Sequence, residues 1–552
     1  MKDLDSSDAV VGRTHEVLNQ PEPLTDYNAF EGDTALRAAV DSYGAGAFRD
    51  RLSCYGRIAG SEIQALGIDA NAHPPELETH DRYGRRIDRV SFHPAYHRLM
   101  ALGIEAGLTS LTWSGSAGAR VARSVLLYLH NQFEAGTVCP MTMSHAAVPA
   151  LRVDEGVAAE WLPGLLASRY DSRLIPAPGK AGLTIGMAMT EKQGGSDVRA
   201  NTTRAMALSE PGSGQIYRLR GHKWFCSAPM SDAFLSLAQT DDGLTCFLVP
   251  RVQPDGTLNA IRIQRLKHKL GNHSNASSEI EYEDAHARCL GEPGRGVATI
   301  IRMVAETRLD CAIGSAALVR QAVAQALDHC RQRTAFGRPL SQQPLMVNVL
   351  ADLCIESEAM MHFALHLAHR FDQATSDEAS SLLARVMTPV AKYWVCKRAV
   401  AVINEAQECM GGAGYVEEFI LPRLFREAPV NAIWEGSGNV QCLDVLRAMK
   451  REPRILEALQ GWLNCHAGLP GMETRLERVR GLLTKGGEAE GQARRIVEDL
   501  ALVMQGAILA EVNSPITEAF AVSRLNQTQG VLLGSLPQTT GLKALIERAL
   551  PR

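Results

Sequence analysis

The spacing of apolar residues changes character twice along this chain, and that double change limits its possible folds more than any other feature. Up to about Pro178 apolar residues recur at helical spacing, which predicts helices over 34–58, 94–106 and 117–134. A Pro- and Gly-rich stretch at 173–182 marks a boundary. After Gly182 come short β-forming runs at 183–189, 216–219, 233–239, 245–249, 261–265 and 278–282. Turn residues such as Pro211-Gly212-Ser213-Gly214 and Pro254-Asp255-Gly256 separate them, which predicts a small antiparallel sheet or barrel. Beyond Gly291-Glu292-Pro293-Gly294, long helical segments return at 297–331, 344–373 and 377–409, the pattern of an antiparallel bundle. A mostly helical tail follows Lys450, broken at Lys485-Gly486-Gly487 and Gly530–Gly534.

The expected fold is therefore α+β and mainly α. A helical domain (1–180) precedes a β-barrel-like domain (181–292), a four-helix bundle (293–450) and an extra helical tail (451–552). A chain of 552 residues is too long for a single core. Its net charge of −4 excludes a uniformly basic polyanion binder, so any nucleic-acid contact must come from a local patch. The twelve cysteines form no CxxC pair and show no zinc-ligand spacing. The polar start, MKDLDSSDAVVGRTHEV, has no signal-peptide core, and no apolar run is long enough to span a membrane. These features predict a soluble protein of the reducing cytoplasm with free thiols.

Five motifs carry candidate chemistry. In Met189-Thr190-Glu191-Lys192-Gln193-Gly194-Gly195-Ser196, paired glycines let backbone approach a flat ligand or a phosphate, or simply form a turn between strands. Lys223-Trp224-Phe225-Cys226-Ser227 sets aromatics beside a hydroxyl, suited to a ring cofactor or to a core strand. Arg333-Thr334-Ala335-Phe336-Gly337 ends a long helix with a cation that suits a pyrophosphate or a C-terminal cap. Gln407 and the Gly411-Gly412 loop end another helix, without the preceding strand of a Rossmann motif. In Trp434-Glu435-Gly436-Ser437-Gly438-Asn439 a carboxylate sits between a bulky ring and glycines. Desolvation there would raise its pKa toward that of a general base, whereas a plain helix N-terminal acid is the alternative. His362, His366 and His369 share a helical face, but no carboxylate lies suitably between them, so no metal is expected.

Taken in order, these motifs resemble the acyl-CoA dehydrogenase family over about 121–446. Asn19-Gln20-Pro21, the segments NAHPPEL (71–77), TEKQGGSDV (190–198) and LGNHSNAS (270–277), and the tail resemble its AidB-type alkylation-response branch. The resemblance implies FAD as cofactor. Met189, Thr190, Gly194, Gly195 and Ser196 would meet the flavin and pyrophosphate, and Phe225 and Ser227 the isoalloxazine. Arg333, Phe336, Gln407, Gly411 and Gly412 would hold the adenine and phosphates, in this family often across a subunit boundary, which implies a homotetramer. Trp434, Ser437 and Asn439 would close the site, Glu435 would be the catalytic base, and Arg308 would lie beside it. The implied reaction removes an α proton from an acyl-CoA thioester while hydride leaves the β carbon. Trp434 stands where many members carry Tyr and Asn439 where Gln is usual, which implies weak turnover of ordinary substrates such as isovaleryl-CoA.

The branch also implies binding of double-stranded DNA through the tail during the response to alkylation damage. Arg475, Arg478, Arg494 and Arg495 are the expected phosphate contacts, within a run that includes Arg480 and Lys485. Interleaved Glu473, Glu477, Glu488, Glu490, Glu498 and Asp499 equally suit a solvated helix laced with ion pairs. The alternative to this double role is a metabolic acyl-CoA dehydrogenase with no part in DNA protection.

Overall fold

A computed structural model describes residues 14–466, 468–484, 486–528, 530–537 and 541–551. Most of the polar start, and Lys485 of the basic run, lie outside the described residues.

The first region is helical: α1 (Thr34–Ser42), α2 (Arg49–Ile58), α3 (Gln64–Ala72), then α4 (Pro94–Ala106), α5 (Ala119–Asn131), α6 (Val138–Leu151) and α7 (Glu155–Leu165). The single helix expected over 34–58 is broken because Gly44, at φ 74°, ends α1. Between α3 and α4 the chain forms a hairpin, β1 (Glu76–His80) with β2 (Arg86–Ser91). This hairpin interrupts the helical pattern expected for the region, and its charged strands bury little.

The middle region holds β3 (Ile185–Ala188), β4 (Arg204–Ala207), β5 (Ile216–Ser227), β6 (Ala233–Thr240), β7 (Gly243–Pro250), β8 (Ile261–Leu266) and β9 (Ser277–Leu290). The strand order is β3-β6-β4-β5-β9-β7, with β8 paired to β9. Pairing of β6 with β7 closes the sheet into a barrel, which removes exposed edges. The apolar spine of the barrel includes Leu219, Phe234, Phe247, Val249, Ile263 and Ile280.

The chain then builds the bundle: α8 (Gly296–Gln332), a two-residue hairpin of β10 (Thr334–Ala335) with β11 (Arg338–Pro339), α9 (Pro344–Gln373), α10 (Glu378–Cys409), α11 (Ile420–Asn431) and α12 (Gly438–Arg451). Pro344 starts α9 at a position where its missing N–H is harmless, and the Asp377 carboxylate caps α10 by accepting from Ser380 N at 2.8 Å. The tail adds α13 (Arg454–Asn464), α14 (Met472–Leu483), α15 (Ala493–Glu511), α16 (Thr517–Phe520) and α17 (Leu542–Ala549). Its apolar residues join the bundle core, so the tail is packed on the bundle and not tethered to it. Among the described residues no helix is long and apolar enough to cross a membrane.

Candidate active site

Residues 432–437 join α11 to α12, and their backbone is held in an unusual shape. Glu435 adopts φ 58° and Gly436 φ 95°, two successive left-handed residues. For a non-glycine residue that conformation costs about 1–2 kcal/mol. Strain of this kind persists only where surroundings over-determine it. Here Arg308 Nε donates to the Glu435 carbonyl at 3.1 Å, and Gln441 Nε2 donates to the same oxygen at 3.0 Å and to Gly436 O at 2.8 Å. Lys392, 1% exposed, donates to Trp434 O at 2.7 Å and Gly436 O at 2.6 Å. A side chain at position 436 would stand 2.7 Å from Gln441 Nε2, so only glycine fits.

These cations serve the loop's backbone. The Glu435 carboxyl itself receives one hydrogen bond, from Thr307 Oγ1 at 2.8 Å. Burial pushes its pKa above the usual carboxylate value, and Thr307, Arg308 and Lys392 only partly offset that. The Arg308 guanidinium meanwhile pairs with Asp444 at 2.7 Å. Burial pushes the Asp444 carboxyl up, but hydrogen bonds and charge from Arg385 and Arg308 outweigh it and hold Asp444 below the ordinary value. Thr307 Oγ1 also lies 3.1 Å from Val304 O. Its hydroxyl can therefore donate to an ionised Glu435, or turn to Val304 and accept from a protonated one. That suits a group that gains and loses a proton in place.

The opposite wall comes from the barrel. The loop after β3 is anchored by Glu191, which is fully buried with Lys223 at 2.9 Å. The Glu191 carboxylate also accepts from Thr202 N at 2.7 Å and Thr203 N at 3.1 Å. Thr190 O accepts from Trp224 N at 2.8 Å, and Met189 O from Asn201 Nδ2 at 3.0 Å. Gly194, Gly195 and Ser196 are exposed on the resulting rigid loop, with open space around Gly194. Phe225 is 46% exposed at the end of β5, and Ser227 Oγ lies 3.1 Å from Ser277 Oγ. Burial pushes the Cys139 thiol up to about 11, against the charge of Lys269 and a hydrogen bond with Ser227, while Glu435 adds its own raising influence. Met189 and Trp434 pack against one apolar cluster, and the Trp434 indole N–H is buried without a partner.

An exposed flat aromatic, an unspent indole donor, open glycine backbone and a hydroxyl facing a desolvated carboxylate fit a planar heteroaromatic cofactor such as a flavin. Ser437 starts α12 without spending its hydroxyl on the cap, and Asn439 accepts from Arg494 at 2.8 Å.

Arg333, Phe336, Gln407, Gly411 and Gly412 lie elsewhere. They gather where α8 and α10 end, with Cys330 Sγ 3.5 Å from Cys409 O across the two helices. Arg308 and Arg333 are 25 residues apart on α8, or about 38 Å at 1.5 Å per residue. No dinucleotide spans that gap, so this second cluster cannot grip the molecule that meets Glu435 of the same chain. Its surface is open: Phe336 is 98% and Tyr415 86% exposed, and nothing crowds Gly411 or Gly412. The Arg333 guanidinium donates to the Asn19 carbonyl, and Gln407 Nε2 to Gly414 O at 2.9 Å.

The tail arginines require a correction. Arg475 is 4% exposed, pairs with Asp499 and donates to the carbonyls of Leu525 (3.1 Å) and Arg524. Arg478 turns to the same aspartate at 3.2 Å. The two were expected to share a solvent face with Arg494 and Arg495, but they neutralise one buried carboxylate between α14 and α15. Arg494 and Arg495 remain exposed. The histidines of α9 pack around Tyr43, with ring centroids 5.7–5.9 Å away, and among the described residues no cluster of three ligating side chains stands ready for a metal.

Known families account for most of the chain. Residues 19–172 match the model of the adaptive response protein AidB N-terminal domain, 186–285 the acyl-CoA dehydrogenase middle domain, and 294–450 the acyl-CoA dehydrogenase C-terminal domain. The chain is 46% identical to AidB of Escherichia coli strain K12 over 94% of its length and 96% of that protein. It is 32% identical to acyl-CoA dehydrogenase family member 11 of Caenorhabditis elegans, over 83% of this chain and 79% of that one. The crystal structure of C. elegans ACDH-11 in complex with C11-CoA superposes with a TM-score of 0.84 at 28% identity, covering 99% of this chain and 94% of that one. The chain therefore belongs to the acyl-CoA dehydrogenase family, in its AidB branch, and is an FAD-dependent oxidoreductase.

Proposed function

We propose that this protein oxidises an acyl-CoA thioester with Glu435 as the base, slowly for short branched substrates such as isovaleryl-CoA, and that it binds double-stranded DNA in the response to alkylation damage. The observation that carries the enzymatic half is the Glu435 carboxyl, strained into position, poorly hydrated and held by a single hydroxyl. Met189, Thr190, Phe225, Ser227 and Trp434 would hold FAD, which would supply the acceptor for the hydride that leaves the β carbon. Glu435 takes the α proton at its carboxylate oxygen, and Thr307 then accepts the hydrogen bond of the protonated acid. The Glu435 backbone N–H is the donor for the thioester carbonyl as charge develops there. Relatives named for acyl-CoA substrates, one of them solved with C11-CoA, support the thioester as ligand.

Arg333, Phe336, Gln407, Gly411 and Gly412 serve the FAD of a neighbouring copy in a homotetramer; their distance from Glu435 and their open surface support this. The DNA half rests on the adaptive-response description of the N-terminal family and on the exposed Arg494 and Arg495. A reducing cytoplasm suits twelve free thiols.

The test is anaerobic addition of isovaleryl-CoA to the FAD-loaded protein. Slow loss of flavin colour that disappears in Glu435→Gln is the expected result. Equal bleaching by the variant removes Glu435 from the reaction. Retention on random duplex at low salt tests the DNA half, and absence of retention leaves the metabolic enzyme alone.

A further inference from the structure

Arg494 lies at the second position of α15. A cation in the first turn of a helix opposes the helix dipole, so the helix itself gives no reason for it. Its Nε instead reaches out of the tail and donates to Asn439 Oδ1 at 2.8 Å. Asn439 is four residues after Glu435 and is the second residue of α12. Gly438, the first residue of α12, is closely packed: a Cβ there would stand 3.3 Å from Tyr393 and 3.4 Å from Lys397. The loop is therefore fixed from within by Lys392, Arg308 and Gln441, and from outside by one tail side chain.

The chemistry of that contact is directional. A guanidinium has only donors, so it must face the carbonyl end of the Asn439 amide. That turns the amide NH2 the other way and fixes which end the rest of the rim sees. We propose that Arg494 is a positioning residue of the flavin site, by which the tail orients Asn439 and so forms part of the cofactor's enclosure. The role rests on FAD occupying the site with Asn439 at its rim. Arg494 is not a catalytic residue, since it touches Asn439 and neither cofactor nor substrate. The tail then has a function in every copy of the protein, whatever else its surface binds.

The experiment compares FAD uptake by apoprotein and the visible circular dichroism of the bound flavin in four proteins: wild type, Arg494→Ala, Arg494→Lys and Asn439→Ala. Arg494→Ala weakens FAD by about three- to tenfold, the loss expected for one ordinary solvent-accessible hydrogen bond, and alters the flavin signal. Arg494→Lys keeps a donor and restores most of both. In the Asn439→Ala background, Arg494→Ala has no further effect, because the interaction runs through that amide. Unchanged affinity and dichroism in Arg494→Ala overturn the role. So does the same loss with and without Asn439, or a loss that Lys does not rescue. A wild type that takes up no FAD removes the cofactor itself, a result visible before any variant is compared.

Discussion

Two stretches of this chain carry charges in a pattern that suggests chemistry, and the fold uses them in opposite ways. In the loop at 434–439 a carboxylate is kept from its cationic neighbours. Lys392 and Arg308 spend their donors on backbone carbonyls and on Asp444, and Glu435 keeps one hydroxyl. In the tail, Arg475 and Arg478 are spent on Asp499 inside the protein. The first charge is available and expensive to ionise, and the second pair is locked. What separates them is whether a partner of opposite sign is packed against the group, and spacing along the chain does not reveal that.

The largest effect is expected at Glu435. Glu435→Gln should keep FAD and slow substrate-dependent bleaching by about 10²–10⁴-fold, the usual worth of a positioned base. The same variant has a stability signature. The folded-state pKa of Glu435 lies above its unfolded value, so folding disfavours the ionised form and stability falls as pH rises from about 4.5 through the raised pKa. Urea unfolding across that window should show a smaller decline in Glu435→Gln than in the wild type, the remainder coming from other carboxyls that burial raises, such as Glu427, pushed up to about 7. A flat wild-type profile would mean that the carboxyl is better solvated than its surroundings indicate.

Next comes Arg475→Ala. Removing Arg475 leaves Asp499 with Arg478 alone at 3.2 Å and strips a donor from the buried Leu525 and Arg524 carbonyls, with a destabilisation of about 1–3 kcal/mol. Thermal unfolding should report it while the bound flavin stays intact below the transition. A change under about 1 kcal/mol would show that Arg475 is not locked, and would return it to the set of available cations.

Much of this was legible beforehand, for definite reasons. The helix-sheet-helix order follows from apolar periodicity, and α8, α9 and α10 match their expected spans within a residue or two because long periodic segments give strong signals. The barrel strands were legible where they bury apolar side chains. β5 and β9 run past their expected ends, since Arg220 to Ser227 and Glu283 to Leu290 mix polar and apolar residues. In the site, the motifs named Glu435, Ser227 and the Gly194–Gly195 loop because glycine and aromatic residues mark themselves. Thr307, Lys392, Gln441 and Asp444 carry no such mark. Each is an ordinary helical residue: Thr307 meets Glu435 from 128 positions away and Lys392 meets Trp434 and Gly436 from 42 and 44, while Gln441 and Asp444 lie within ten residues of Glu435. The Glu191–Lys223 pair had a usable signal: a lone carboxylate in one motif and a lone lysine in the next, both among residues that form strands.

Thr307→Val sharpens the contrast on a smaller scale. Among the described residues it deletes the one hydrogen bond to the Glu435 carboxylate, so the carboxyl pKa should rise further. The acid limb of the bleaching rate should move to higher pH, by about one unit or less for a single neutral donor, with the alkaline plateau nearly unchanged. Thr307→Ser, which keeps the hydroxyl, should restore the profile. If the valine variant instead loses rate equally at all pH values, Thr307 holds the loop and does not tune the base.

The smallest effect tests the tail side directly. If duplex DNA binds through exposed arginines, Arg495→Gln should weaken it only a few-fold, equally for any sequence, and lower the slope of log affinity against log salt by about one. Arg478→Gln should leave that slope unchanged, because its charge is already compensated by Asp499. The comparison uses single substitutions on purpose. Changing all four tail arginines together would unfold the tail through Arg475 and abolish binding for the wrong reason. Equal slopes for Arg495→Gln and the wild type would place any duplex contact outside this stretch, while a lowered slope for Arg478→Gln would mean that Asp499 releases it when DNA arrives.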